Sequence, residues 1–167
     1  MSQREGRHRK PLYDAQQRAR RDATAWTLVQ GILAPLQFLV FLVSLALVLR
    51  TLATGEGAFA ANVSIVAKTA LLYAIMVTGS FWEKVVFGRY LFAPAFYWED
   101  MVSMLVLALH TAYLAALATG ALDTAGLMVL ALAAYATYAI NAAQFVLKLR
   151  AARLQAMPSR FVAEAAR

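Results

Sequence analysis

The chain has 167 residues, 62% hydrophobic and 15% charged, with sixteen Lys and Arg against nine Asp and Glu, a net charge of +7 and no cysteine. An ordinary soluble domain is about 45–50% apolar and about 25% charged, so this chain carries more apolar surface than one small core hides. A soluble enzyme, a disordered tail protein and a disulfide-stapled secreted module are disfavoured; the composition points to an integral membrane protein of one domain.

The positive charge is flanking charge. Seven basic residues precede residue 26 (Arg4, Arg7, Arg9, Lys10, Arg18, Arg20, Arg21) and five follow residue 147 (Lys148, Arg150, Arg153, Arg160, Arg167). Membrane chains carry Lys and Arg beside their spans on the cytoplasmic side, where they also attract anionic headgroups. No nucleic-acid partner is expected.

Four spans are predicted, making an all-α, four-helix membrane bundle. The first covers about 26–49, starting at Trp26 and stopping before Arg50. At about 1.5 Å per residue it crosses a hydrocarbon core of about 30 Å, and it lacks a signal-peptide cleavage pattern. The second covers about 59–87, long enough to tilt, and Gly88 caps it. The third covers about 96–119, with Pro94 near its first turn and Gly120 after it. The fourth covers about 124–147 and is rich in Ala, whose small side chain lets helices approach closely in lipid.

Basic residues concentrate at both termini and at the Lys84–Arg89 junction, whereas the loops after Arg50 and around 121–123 are nearly free of them. Both termini are therefore expected in the cytoplasm. The chain divides into a basic N-terminal arm (1–25), a four-span domain (26–150) and a C-terminal tail (151–167). Within the arm, 11–25 reads equally as a short interfacial helix or a solvated stretch.

Ionisable groups inside spans are costly and usually face the bundle interior. Here they are Lys68, Glu83, Lys84, Glu99, Asp100 and His110. At about 100° per residue, Glu99, Ser103, Val106, His110 and Tyr113 form one stripe on the third span, while Asp100 sits about 100° away with Met104, Leu107 and Thr111. The second and third spans are antiparallel, which gathers Glu83, Glu99 and Asp100 at one mouth, with His110 about 16 Å and Lys68 about 22 Å deeper. Phe81, Trp82, Phe87, Tyr90, Phe92, Phe96, Tyr97 and Trp98 surround that mouth and read most simply as an interfacial aromatic belt. Lys68 reads as snorkelling or paired, and His110 more readily as a hydrogen-bonded core histidine than as a metal ligand. No metal-ligand spacing, hydrolase triad, phosphate loop or dinucleotide fingerprint is found. An enzyme built this way works by acid and base side chains beside an apolar ligand, with no bound redox cofactor.

The run WEKVVFGRYLFAPAFYWEDMVSMLVLALHTAYL at 82–114, with WTLVQGILAPLQFLVFLVS at 26–44 and INAAQFVLKLRAARLQA at 140–156, resembles the 3-vinyl bacteriochlorophyllide hydratase family of bacteriochlorophyll biosynthesis. The combination of WEK, FGRYLFAPAF and WED carries the likeness, which extends from about Pro11 to Ala156. The resemblance implies a hydro-lyase of a photosynthetic bacterial inner membrane. It would add water to the C3 vinyl group of chlorophyllide a or a 3-vinyl bacteriochlorophyllide, a substrate that brings its own magnesium.

Such a reaction needs a proton donor for the terminal vinyl carbon, a base for the attacking water and negative potential near the cation. Glu83, at the negative end of its helix, is the expected acid. Glu99 or Asp100, at the positive end of theirs, is the expected base, with Glu99 first because His110 and Tyr113 extend its stripe. Lys84 or Arg89 would take the substrate's propionate, Trp82, Tyr97 or Trp98 its flat ring, and Tyr113 would adjoin it. His110 is the intramembrane candidate for an axial ligand of the substrate's magnesium, with a bound water as the alternative. Two other classes are weighed: a non-catalytic chlorin carrier or assembly protein, and a small proton or ion transporter subunit. Self-association and contact with neighbouring pigment-biosynthesis enzymes are left open.

Overall fold

The computed structural model describes residues 11–156, and the basic residues expected to flank the bundle at positions 1–10 and 157–167 lie outside them. The described residues form five helices and no strand: α1 (Ala15–Ala23), α2 (Ala25–Thr54), α3 (Ala58–Phe87), α4 (Tyr97–Thr119) and α5 (Thr124–Ala156). The last four are long and apolar enough to cross a membrane.

Local chemistry sets the boundaries. The Asp14 carboxylate accepts from the Gln17 N–H at 2.7 Å and the Gln17 side chain accepts from the Asp14 N–H at 3.0 Å, a reciprocal cap that starts α1. Thr24 caps α2 one residue after α1 ends. α2 and α3 each close on a glycine in the left-handed region, Gly55 (φ 74°) and Gly88 (φ 81°), where a Cβ would be strained. Pro94 stays in the α3–α4 loop, and α4 starts at Tyr97. α2 continues past Leu49 and α5 past Leu147, since neither Arg50 nor Lys148 breaks a helix that leads out of the apolar layer.

The four long helices run up and down. The first turns of α2 meet the last turns of α3, where Trp82 Nε1 donates to Thr27 Oγ1 at 2.9 Å and Gln30 Nε2 to Thr78 Oγ1 at 2.7 Å. The start of α4 meets the end of α5. The start of α2, the end of α5 and the α3–α4 loop therefore share one end of the described residues, called here the terminal end. α2 packs along α3, α4 along α5 and α2 against α5, whereas the backbones of α3 and α4 approach each other less. Ala131 and Ala134, both buried, bring α5 close to its neighbours. Large side chains such as Leu28, Leu39, Val43 and Phe59 cover the outside, as a lipid-facing surface requires.

Candidate active site

The buried face of α4 carries Glu99, Asp100, Ser103, Val106, His110 and Tyr113. Five of these are the stripe expected from helical spacing. The sixth, Asp100, is off that line yet equally buried, because the α3–α4 loop folds back over it. Phe92, whose φ of 58° lies in the left-handed region, turns the loop so that two successive N–H groups face inward. Phe92 N–H donates to Asp100 Oδ2 at 2.7 Å and Ala93 N–H to Glu83 Oε2 at 3.2 Å. The Glu83 and Asp100 carboxyls are close enough to influence each other. Two carboxylates offer acceptors only, so a direct hydrogen bond between them would need one shared proton.

Glu99 faces the other way. Its Oε2 is ion-paired with Lys148 Nζ of α5, which also lies 5.1 Å from the centre of the Phe96 ring. Lys148 was read as a flanking charge; its long stem instead lets the ammonium reach back along α5 into the bundle. The three carboxyls thus gather at one end, but only Glu83 and Asp100 face each other.

The aromatic belt divides in two. Tyr13, Phe87, Phe96, Trp82 and Phe145 pack together and fill the mouth of the bundle. Trp82 is held there by its bond to Thr27, whose hydroxyl donates in turn to the Arg21 carbonyl at 2.6 Å, tying α1, α2 and α3 together. Trp82 is thereby committed to internal packing. Burial pushes the Tyr13 phenol up against the opposing pull of Arg21, whose guanidinium stands 4.8 Å from the ring centre. Tyr97 and Trp98 form the outer set, 45% and 71% exposed and edge to face at 5.6 Å. Lys84 donates to the Gly88 carbonyl at 3.2 Å, and both it and Arg89 are exposed at the same rim.

The deeper candidates lie apart from this cluster. His110 is fully buried; its Nδ1 sits 2.8 Å from the Val106 carbonyl, which only accepts, so Nδ1 carries the proton and Nε2 accepts from Lys68 Nζ at 3.0 Å. Both ring nitrogens are occupied, which leaves His110 no open position for magnesium. Lys68, equally buried, is paired and does not snorkel: its ammonium is 4.0 Å from the Tyr138 ring centre and 5.1 Å from that of Tyr135. Tyr113 donates to Asn62 Oδ1 at 2.7 Å near the far end of α4. A groove of about 340 Å³ lined by Phe59, Asn62, Val63, Val66 and Leu117 also lies at that end, away from the carboxyls. The inward N–H groups of Phe92 and Ala93 were missed by sequence reasoning because nothing in the residue types marks a left-handed Phe.

The chain matches the family model described as 2-vinyl bacteriochlorophyllide hydratase (BCHF) over residues 13–151. It is 70% identical over 148 residues to the 2-vinyl bacteriochlorophyllide hydratase of Rhodobacter capsulatus, covering 89% of this chain and 86% of that one. It is 71% identical over 148 residues to the protein of the same name from Cereibacter sphaeroides, covering 88% and 91%. No solved structure matches it. A family match over most of the chain, carried by two relatives at this identity, makes the chain a member of the 2-vinyl bacteriochlorophyllide hydratase family.

Proposed function

We infer that this chain is a hydro-lyase that adds water to the vinyl group of a vinyl bacteriochlorophyllide or of chlorophyllide a, giving the 1-hydroxyethyl product. The observation that carries the mechanism is the neighbouring pair Glu83 and Asp100, fixed by the backbone N–H groups of Ala93 and Phe92 respectively.

In the proposed cycle the protonated member of the pair, Glu83, gives its proton to the terminal vinyl carbon. The carbon next to the macrocycle becomes cationic, and the π-system and the adjacent carboxylates stabilise it. Water attacks that carbon and Asp100 takes the released proton. Proton transfer between the two neighbouring carboxyls then returns this proton to Glu83, so the pair ends as it began. The base role moves here from Glu99 to Asp100, because Glu99 is engaged by Lys148 and faces α5. Glu99 adds negative potential behind the pair.

The macrocycle is proposed to lie from the lipid side against the α3–α4 face, where the two helices approach each other less closely than α2 and α3 or α4 and α5 do. On α3, Tyr73, Met76, Ser80 and Glu83 follow at steps of three and four residues; on α4, Asp100, Met104, Leu107 and Thr111 do the same. The Tyr73–Thr111 hydrogen bond, 2.8 Å, bounds this face about 15 Å from the carboxyl pair. Tyr97 and Trp98 offer exposed rings at the rim, and Lys84 or Arg89 suits the propionate. Since both nitrogens of His110 are occupied, a water molecule is the proposed axial ligand of the substrate's magnesium.

The basic rim and termini support a cytoplasmic position for the terminal end, in a bacterial inner or intracytoplasmic photosynthetic membrane. Membranes containing the chain are expected to convert 3-vinyl chlorophyllide to a product heavier by one water, read by mass spectrometry. Bound pigment with no mass gain would favour a carrier.

A further inference from the structure

Five buried side-chain polar atoms among the described residues have no hydrogen-bond partner, and four of them belong to three residues: Gln37 Nε2 and Oε1, Asn141 Oδ1 and Gln144 Oε1. Gln37 is 2% and Asn141 9% exposed. The surrounding contacts place them at adjoining levels. Phe41 meets Tyr138 with ring centres 4.9 Å apart, so one turn nearer the terminal end puts Gln37 of α2 level with Asn141 of α5. Asn141 Nδ2 donates to Ser103 Oγ at 2.6 Å, which fixes its amide inside the bundle and leaves Oδ1 free to accept. Gln144 lies one turn further toward the terminal end and Lys148, bonded to Glu99, one turn beyond that.

Unpartnered amides inside a bundle surrounded by lipid are costly, because no bulk water reaches them, and ordered water that meets two to four such groups removes the cost. Here one donor and one acceptor on Gln37 of α2 stand level with the Asn141 acceptor of α5, and the Gln144 acceptor follows one turn nearer the carboxyls. No apolar ligand satisfies such a set. We propose that Gln37, Asn141 and Gln144 hold a short file of water molecules inside the bundle, which supplies the reactant water to the Glu99 and Asp100 end of the carboxyl cluster. The site itself stands on the amides; its role as supplier rests on the hydratase reading above. Water enters the reaction from behind α4 while the macrocycle covers the cluster from the lipid side, so a bound substrate does not shut out its co-reactant.

X-ray hydroxyl-radical footprinting of the full chain in nanodiscs tests the site without any pigment. Internal water converts to radicals that oxidise its neighbours, so Phe41 and Tyr138 are expected to be oxidised at least about fivefold faster than the lipid-facing Phe38. In Gln37→Leu with Asn141→Leu that excess is expected to vanish; Gln37→Met alone, a milder change, is expected to halve it. Equal oxidation of Tyr138 and Phe38 in the parent chain would overturn the proposal. The supply role is read separately with 3-vinyl chlorophyllide: kcat should fall about tenfold or more in the double variant with KM unchanged. An unaltered kcat beside a lost footprint would overturn it. A parent chain with the footprint but no hydration of any vinyl chlorin would refute the hydratase reading and leave the water site standing.

Discussion

Glu83 of α3 and Asp100 of α4 face each other while taking hydrogen bonds from two consecutive loop residues, Ala93 at 3.2 Å and Phe92 at 2.7 Å. The α3–α4 loop is therefore part of the proposed catalytic arrangement as well as a connection. One strained residue aims both donors, and each carboxyl is held from its own helix and from the loop.

Removing the proton-carrying capacity of either carboxyl should cost rate and leave binding intact. Glu83→Gln and Asp100→Asn are each expected to lower kcat by about 10²–10⁴-fold, the usual worth of a positioned acid or base. KM for the vinyl chlorin should change less than threefold. The double variant should lose little more than either single one, because the two groups act as a unit. Steady-state hydration rates followed by chromatography give all three numbers.

Glu99 should behave differently. It is ion-paired with Lys148 in a largely buried site, with side chains 9% and 26% exposed. Lys148→Met leaves the carboxylate unpaired and is expected to destabilise the bundle by about 1–3 kcal/mol, between the values for exposed and fully buried pairs. Adding Glu99→Gln to Lys148→Met should restore much of that loss. Thermal unfolding in detergent measures both effects.

The stripe Glu99, Ser103, Val106, His110 and Tyr113 was legible because a helix in lipid turns its costly polar groups inward, so spacing alone identifies its buried face. Lys68, too, was readable as either snorkelling or paired, and the structure pairs it with His110. What spacing did not convey was reach and backbone shape. Asp100 is buried by a loop whose path depends on a left-handed Phe92, and Lys148 enters the bundle through a flexible stem. Trp82 was grouped with the exposed aromatics because residue type does not distinguish a ring bonded to Thr27 from one open to lipid.

The Trp82 indole offers a simple discrimination. Trp82→Phe keeps a ring in the packed cluster and removes the donor to Thr27, so it is expected to cost about 1 kcal/mol of stability. Hydration KM should stay within about twofold, whereas a ring that stacked on the macrocycle would raise KM. Unfolding and kinetics on the same preparation separate these outcomes.

His110 and Lys68 form a closed pair. His110→Leu leaves the buried Lys68 amine without its acceptor and is expected to destabilise the bundle by about 1–3 kcal/mol. The combination with Lys68→Met, which replaces both partners with apolar groups, should be much milder. In that double variant the absorption bands of bound magnesium chlorin should match those of the parent chain. A shift of the kind that follows loss of an axial ligand would restore His110 to the magnesium.

The most direct test of the account is single-turnover hydration of 3-vinyl chlorophyllide by the parent chain and by Glu83→Gln in H₂¹⁸O, each saturated with pigment. The parent should form a 1-hydroxyethyl product carrying one ¹⁸O, and Glu83→Gln should bind the pigment equally while forming that product at least about a hundredfold more slowly. Equal rates from the two proteins would contradict the assignment of the Glu83–Asp100 pair as the source of the proton.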